Sequence, residues 1–224
     1  MSGSTVRFGD VSVEKLVCST YKSLLMIRYV YEPLLVQSPW IQLTHYGIPK
    51  IDKYNTTEES RRFLRVPLQD DDDDDFTVFV KKLDEHFGSD GFKAKYLNDK
   101  QQHFQYFKLF KESSNEKYPP SVKLKMDVQD NDIKTDIIND EHKSEVVKNM
   151  DDVAKAVPYR SEVRFLFKVH RLWVQSSIKG YGVILKLRKL QVKKSSWSGT
   201  NEVFIDTDDD SYHMEDTSAE SSCA

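Results

Sequence analysis

The chain has 224 residues, 38% hydrophobic and 31% charged, so it can bury a core beneath a highly charged surface. It has no run of 18 apolar residues and no apolar stretch near the N-terminus, which argues against a membrane span or secretory signal and favours an intracellular protein. The two cysteines are far apart and the six histidines are scattered, so we expect no disulfide framework, no metal site and no cofactor.

The first third of the chain predicts short strands separated by irregular segments. Residues 23–37 are rich in β-forming side chains and are interrupted by Pro33, which predicts two strands joined by a turn. An aromatic loop over residues 38–50 is followed by a short predicted strand at residues 61–68. The acidic run at residues 70–75 predicts a solvated loop or the lead-in to a helix, because carboxylates are favourable at helix N-termini.

Two segments have the apolar spacing of amphipathic helices. Apolar residues recur at intervals of three and four from Phe76 to Phe87, which predicts a helix that ends at Gly88 and faces the core. A second apolar face predicts a helix over residues 143–157, stopped by Pro158.

Two further segments predict strands before the C-terminal region. Residues 104–110 form a dense β-type run. Residues 122–138 alternate apolar and polar side chains around Asp130-Asn131, which predicts a β-hairpin whose polar face carries lysines.

The longest predicted strands lie at residues 162–175 and 182–193, joined by a turn at residues 179–182. In the first strand apolar residues alternate with basic ones, which predicts an apolar inner face and a basic outer face. In the second, the apolar alternation shifts near Arg188-Lys189, which predicts a β-bulge there.

These elements predict an α+β protein with an antiparallel β-barrel core and two inserted helices. We assign residues 1–196 to one domain. Residues 197–224 are polar and acidic, which predicts a disordered acidic C-terminal tail.

Charge is strongly segregated near the C-terminus. Residues 160–194 carry a net charge of +9, and residues 195–224 carry −8. The basic segment is a candidate footprint for nucleic-acid phosphates. The acidic tail could compete with nucleic acid for that footprint, recruit replication proteins, or act only as a solubilising segment.

No catalytic constellation is present in the sequence. It has no nucleophile elbow, no phosphate-binding loop and no Gly-x-Gly-x-x-Gly motif, so we expect that the protein is not an enzyme. Basic residues interleaved with aromatic ones instead favour a groove that follows a nucleic-acid backbone and stacks bases.

Three stretches, in the same order along the chain, resemble the single-stranded DNA-binding proteins of large nucleocytoplasmic DNA viruses, of the asfarvirus type. They are residues 33–54 (PLLVQSPWIQLTHYGIPKIDKY), 118–138 (YPPSVKLKMDVQDNDIKTDII) and 169–193 (VHRLWVQSSIKGYGVILKLRKLQVK). The resemblance implies an OB-fold core, sequence-independent DNA binding and a role in viral DNA replication, recombination or repair, in the host nucleus or a cytoplasmic virus factory. By position it points to Gln37, Trp40, Trp173, Tyr181, Lys186 and Lys193.

Together, charge, aromatic content and resemblance identify single-stranded DNA as the expected partner. The candidate DNA-binding residues are Gln37, Trp40, Tyr46, Arg61, Arg62, Arg65, Phe104, Lys108, Lys123, Lys125, Arg164, Lys168, Arg171, Trp173, Tyr181, Lys186, Arg188 and Lys193. The alternative hypothesis is a virion or scaffold protein in which the basic hairpin of one subunit meets the acidic tail of another, giving a homo-oligomer.

Overall fold

The computed structural model describes residues 5–30, 32–69 and 74–194, so the predicted tail at residues 197–224 lies outside the described residues. Within this part of the chain, one mixed sheet contains eleven strands and a separate hairpin contains two. The strands are β1 (Thr5–Arg7), β2 (Leu16–Tyr21), β3 (Leu24–Tyr29), β4 (Leu35–Gln37), β5 (Ile41–Gln42), β6 (Phe63–Pro67), β7 (Gln105–Phe107), β8 (Ser121–Met126), β9 (Val128–Gln129), β10 (Asp132–Ile133), β11 (Asp136–Ile138), β12 (Glu162–Gln175) and β13 (Gly180–Lys193).

The described chain also contains three α-helices. They are α1 (Asp75–Gly88), α2 (Asp90–Tyr96) and α3 (Met150–Ala156), and single 3-10 turns occur at Phe8–Asp10, Val13–Lys15, Glu59–Arg61 and Ser176–Ile178. The end of the acidic run starts α1, because the Asp74 carboxylate accepts a hydrogen bond from the backbone N–H of Thr77 at 2.8 Å. The predicted helix that ends at Gly88 is confirmed.

The prediction of two helices is wrong in two respects. Ser89 ends α1 and also starts the unexpected α2, since its hydroxyl donates to the carbonyl of His86 and accepts from the N–H of Phe92. The helix predicted over residues 143–157 begins only at Met150, after the Asn149 cap. Its first half is not helical, because the Glu145 N–H instead bonds the carbonyl of Ile137.

A long hairpin of β12 and β13 organises the sheet. Along its outer edge β12 pairs in turn with β5, β4 and β3, and β13 pairs in turn with β7, β8 and β11. The main strand order is β1-β4-β12-β13-β8-β6, with β1 and β6 at opposite ends and no pairing between them among the described strands. The predicted closed barrel is therefore wrong, because short strands lie end to end along the long hairpin instead of continuing around to close it.

The sheet is also mixed rather than antiparallel. Strands β7, β8 and β11 all run parallel to β13, and β1 runs parallel to β4. The predicted hairpin over residues 122–138 is correspondingly reduced to β9 and β10 around Asp130-Asn131, which both have positive φ. Strands β8 and β11 separate because each pairs with β13 instead of with the other.

The alternation predicted for the long strands is confirmed. Phe165 and Phe167 of β12 are buried and face α1, where Phe76 lies 6.0 and 6.4 Å from them between ring centroids. The predicted bulge is also confirmed, because Leu166 pairs with Lys189 and Phe167 with Leu187, leaving Arg188 as the extra residue. Helix α1 thus covers the inner face of the sheet, and the basic side chains of β12 and β13 project from the other face.

Candidate nucleic-acid interface

The outward side chains of four neighbouring strands form one surface. The register places Phe63 of β6 beside Lys125 of β8, Lys125 beside Lys186 of β13, and Lys186 beside Lys168 of β12. Because paired residues project to the same side of a sheet, this row lies on the face opposite α1. Three lysines in one row repel one another, so the row favours an anionic partner.

Two adjoining depressions cross this surface. Their volumes are about 390 and 440 Å³, and they share the lining residues Phe63, Lys123, Lys125 and Ile184. We call the combined depression the basic groove. Its cationic lining residues are Arg62, Arg65, Lys108, Lys111, Lys123, Lys125, Arg171 and Lys186, and Glu59 is the acid among its lining residues. Eight cations facing one carboxylate match the requirement for holding a phosphate backbone.

Two aromatic rings lie in the groove against a stretch of β13 that presents no side chain on that face. Gly182 lies opposite Trp173, and a Cβ at Gly182 would come within 2.8–2.9 Å of the indole. A Cβ at Gly180 would overlap the ring of Phe107. The centroids of Phe107 and Trp173 are 5.4 Å apart. The two glycines therefore let both rings lie close to the strand, and each ring is only partly buried. We call these two rings the aromatic platform.

Neighbouring rings hold two of the groove cations in place. The ammonium of Lys123 lies 3.6 Å from the ring centroid of Phe63, and the guanidinium of Arg65 lies 4.0 Å from that of Tyr46. Arg65 also donates to the Ser121 hydroxyl at 2.8 Å. Tyr46, a predicted contact, thus supports Arg65 from beyond the edge of the groove.

The crowded positive charge weakens proton binding within the groove. Burial lowers the pKa of Lys123, and the neighbouring Lys125 and Arg65 lower it further. Burial also lowers the pKa of His170 to about 4, and among the neighbouring charges Lys186 contributes most. A bound anion would relieve this repulsion.

Among the described residues, the ion pairs that involve the groove lining lie at one end of the groove, around Asp127. The buried carboxylate of Asp127 forms ion pairs with Lys186 and with Arg188, the bulge residue. The backbone N–H of Asp127 donates to the Thr135 hydroxyl at 2.8 Å, and this hydrogen bond holds the backbone of Asp127 in place. The predicted contact Arg188 is therefore engaged in an ion pair.

Three predicted contacts lie in the interior, and these assignments are corrected. Tyr181 is fully buried and donates its hydroxyl hydrogen to the carbonyl of Phe87 at 2.7 Å. Phe104 is buried in the same small cluster. Arg61 is 2% exposed and pairs with Asp151 at 2.6 Å. None of the three side chains can meet a nucleic acid at the surface. Side chains alternate between the two faces of a strand, so Tyr181 points inward while Gly180 and Gly182 occupy positions on the outer face.

Four other predicted contacts form a separate cluster toward the far end of the β12–β13 hairpin. The ammonium of Lys193 lies 4.0 Å and the guanidinium of Arg164 lies 4.9 Å from the ring centroid of Trp40. Arg164 donates to the side-chain carbonyl of Gln191 at 2.8 Å and lines a small depression together with Gln37. The cluster combines cations with an aromatic ring, as the basic groove does, but it does not line the groove.

The groove brings together eight of the predicted contacts and several residues that the sequence analysis missed. The predicted ones are Arg62, Arg65, Lys108, Lys123, Lys125, Arg171, Trp173 and Lys186. The missed ones are Phe63, Phe107, Lys111 and His170. The Gly-x-Gly spacing at residues 180–182 was an available signal, because outward glycines at alternate strand positions leave room for rings.

The described residues contain neither a metal-binding cluster nor a membrane-spanning helix. In the described ranges, no three or more His, Cys, Asp or Glu side chains are grouped so that they could hold a metal ion. Nor does any described helix have the length and apolar character needed to cross a membrane. Burial raises the pKa of the free Cys18 thiol to about 12, so this thiol is protonated at neutral pH.

Comparisons with known proteins give distant similarities. No protein-family model matches the chain. An uncharacterized protein of Acanthamoeba polyphaga mimivirus is 22% identical over 226 residues, covering 79% of this chain and 56% of the relative, so the chain spans about half the length of that relative.

Two solved structures of a single-stranded DNA-binding protein from bacteriophage Enc34 also align with the chain. The C-terminally truncated form aligns with a TM-score of 0.45 and 13% identity, over 82% of this chain and 97% of the phage chain. The form in complex with single-stranded DNA aligns with a TM-score of 0.42 and 12% identity, over 81% and 96%. At these values neither alignment identifies a binding residue of this chain.

Proposed function

We propose that this protein binds single-stranded DNA in the basic groove, without sequence specificity. The observation that carries the proposal is the groove itself, which is lined by eight cations and one acid and which contains an aromatic platform seated on two glycines, with five of the cations lining the same depression as the platform. Lys and Arg side chains hold the phosphates, and Phe107 and Trp173 stack bases. Such stacking contributes about 1–3 kcal/mol per base and accepts any base, because every base has a π-face.

The platform favours a single strand over a duplex. A base can stack on Phe107 or Trp173 only if one of its faces is free, and the bases of a duplex are already stacked on their neighbours. The rings lie within the groove and beside Lys108 and Lys111, so a base on the platform would have its phosphates close to these cations.

We further propose a role in viral DNA replication, recombination or repair, carried out without catalysis. A relative is encoded by a mimivirus, which agrees with a viral role. The acidic segment at residues 197–224, outside the described residues, would dock replication proteins or compete with DNA for the groove. The host nucleus and a cytoplasmic virus factory are the two sites where this role would be exercised.

The test is fluorescence anisotropy with a labelled single strand and the matching duplex across a salt titration. We expect tighter binding to the single strand and a steep loss of affinity with salt. The double variant Lys123→Ala/Lys125→Ala removes two exposed groove lysines, so the slope of log K against log salt should become shallower by about 1.4.

The matched control is Lys143→Ala/Lys148→Ala, which removes the same charge from exposed positions that line no described depression of the groove. Its salt slope should equal that of the unmodified protein. Equal binding to duplex and single strand, or equal slopes for the two double variants, would contradict the proposal. Absence of binding at low salt would instead favour the assembly hypothesis.

A further inference from the structure

A third depression adjoins the basic groove at the Phe63–Arg65 end. Its volume is about 580 Å³, and its lining includes Phe63 and Arg65, which also line the groove. Arg65 is held by Tyr46 and Ser121, so it forms a fixed boundary between the two depressions. A chain that runs along the groove toward β6 therefore meets this second depression next.

Two strongly exposed tyrosines line this depression. Tyr54 is 78% exposed and Tyr159 is 62% exposed, and both rings belong to segments outside the sheet. Each ring has a cation beside it: the Lys53 ammonium lies 4.9 Å from the Tyr54 centroid, and the Arg160 guanidinium lies 5.7 Å from the Tyr159 centroid. Lys53 and Arg160 lie beside the rings but outside the lining of the depression, whose own charged residues are Lys50, Asp52 and Arg65.

Both tyrosines are displayed from hydrogen-bonded backbone. The carboxylate of Asp52 accepts hydrogen bonds from the N–H groups of Tyr54 and Asn55, at 2.8 and 2.7 Å. The N–H of Arg160, next to Tyr159, donates to the carbonyl of Leu43 at 3.0 Å. Because the backbone that carries these rings is already ordered, a partner that stacks on them restricts only the side-chain rotamers.

We infer that this depression is a second subsite for single-stranded DNA, in which a base of the strand leaving the groove stacks on Tyr54 or Tyr159. This inference rests on the proposed function, because it extends the path of the same strand past Arg65. The depression shares Phe63 and Arg65 with the groove and adds Lys50, so Arg65 and Lys50 are placed to hold a phosphate between the two aromatic sites. The footprint of the protein is therefore longer than the groove alone.

The test compares oligothymidylates of about 6 and about 20 nucleotides, the shorter within and the longer beyond the range covered by one binding unit. The variant is Tyr54→Ala/Tyr159→Ala. We expect it to bind the longer strand about tenfold more weakly than the unmodified protein and the shorter strand within about twofold. Tyr54→Phe/Tyr159→Phe keeps the rings and should bind both lengths normally.

Tyr21→Ala is the matched control, because Tyr21 is 57% exposed and lines none of these depressions. Normal binding of both lengths by the double alanine variant would overturn the inference and leave the proposed function standing. Equal weakening at both lengths would also overturn it, since the tyrosines would then not extend the footprint. If the unmodified protein binds neither strand, the proposed function itself fails.

Photo-crosslinking of a strand containing 5-iododeoxyuridine to Tyr54 or Tyr159 in the unmodified protein would support the subsite independently of any variant.

Discussion

Individual residues decide where a base could stack on this protein. Phe107 and Trp173 can lie against β13 because Gly180 and Gly182 present no side chain on that face. Tyr181, between them, points into the core and donates its hydroxyl hydrogen to the carbonyl of Phe87. In this segment Tyr181 fixes β13 to the core, and the two glycines leave the opposite face of the strand without side chains.

Substituting Gly182 with alanine should displace the indole of Trp173. The added Cβ would lie 2.8–2.9 Å from three indole atoms, closer than van der Waals contact allows. We expect Gly182→Ala to weaken single-strand binding by about 1–2 kcal/mol, measured by anisotropy, because the stacking surface moves. Gly91→Ala is the control, since nothing lies within 4 Å of a Cβ at Gly91. Unchanged affinity of Gly182→Ala would exclude Trp173 from the binding surface.

His170 should make the stability of the fold depend on pH. Its pKa is about 4 in the folded protein, against an ordinary value of 6.5, because of burial and the surrounding cations. Between these two values the unfolded chain binds the extra proton, so the free energy of unfolding falls as the pH drops from about 6.5 to about 4. We expect His170→Gln to remove this part of the acid sensitivity.

Thermal melting temperatures across that pH range provide the measurement. The curves of the unmodified protein and of His170→Gln should diverge as the pH falls, with the variant losing less stability. His103→Gln, at an exposed histidine, is the control substitution. Parallel curves for the unmodified protein and His170→Gln would show that His170 does not resist protonation in the folded state.

Among the elements, α1 does more than cover the inner face of the sheet. Its residue Asp84 is buried and accepts three hydrogen bonds, from the Tyr106 hydroxyl and from the N–H groups of Leu109 and Phe110. These donors flank Phe107, so the helix positions the segment that carries half of the aromatic platform. Burial raises the pKa of Asp84, and the three hydrogen bonds act in the opposite direction.

Asp84→Asn should weaken the hydrogen bonds between α1 and residues 106–110 and so destabilise the fold. An amide in place of the carboxylate keeps one acceptor oxygen, and its NH₂ group would face the donor N–H of Phe110. We expect a loss of about 1–3 kcal/mol in the free energy of unfolding, measured by urea denaturation. Glu85→Gln, at the exposed neighbouring position, should change it by less than about 0.5 kcal/mol. Equal stability of the two variants would contradict this role of Asp84.

At the scale of the whole molecule, the β12–β13 hairpin is the central element of the sheet. Each strand is 14 residues long and pairs on both edges, with its hairpin partner on one side and short strands on the other. The core lies between this hairpin and α1, so the face opposite α1 is left to the groove. Folding and the proposed binding of DNA therefore involve opposite faces of the same two strands.

This architecture predicts a graded pattern of native-state hydrogen exchange. The central amides of β12 and β13 should exchange slowest, with protection close to the global free energy of unfolding, because their opening disrupts the core. The isolated hairpin of β9 and β10 should exchange much faster, since it pairs with no other described strand. Mass spectrometry of proteolytic fragments would measure both. Equal protection of the two regions would contradict the central role of the long hairpin.

Much of this protein was determined by local sequence. The spacing from Phe76 to Phe87 predicts α1, the alternation in residues 162–175 predicts β12 with its inner and outer faces, and the parity shift near Arg188 predicts the bulge. These features were predictable because they depend on a repeat within one segment. The segregation of basic residues onto the last hairpin was also readable without coordinates.

Strand partners and side-chain burial were decided by tertiary structure. Nothing local to β7, β8 or β11 specifies that each runs parallel to β13, so the sequence alone favours an antiparallel barrel. The sequence suggests that Arg61 is a surface cation, but in the structure it is buried and pairs with Asp151, 90 residues away. The local sequence does not show that Tyr181 is buried while Phe107 is partly exposed. Which of them is available to a partner depends on what packs against each ring, and those neighbours come from distant parts of the chain.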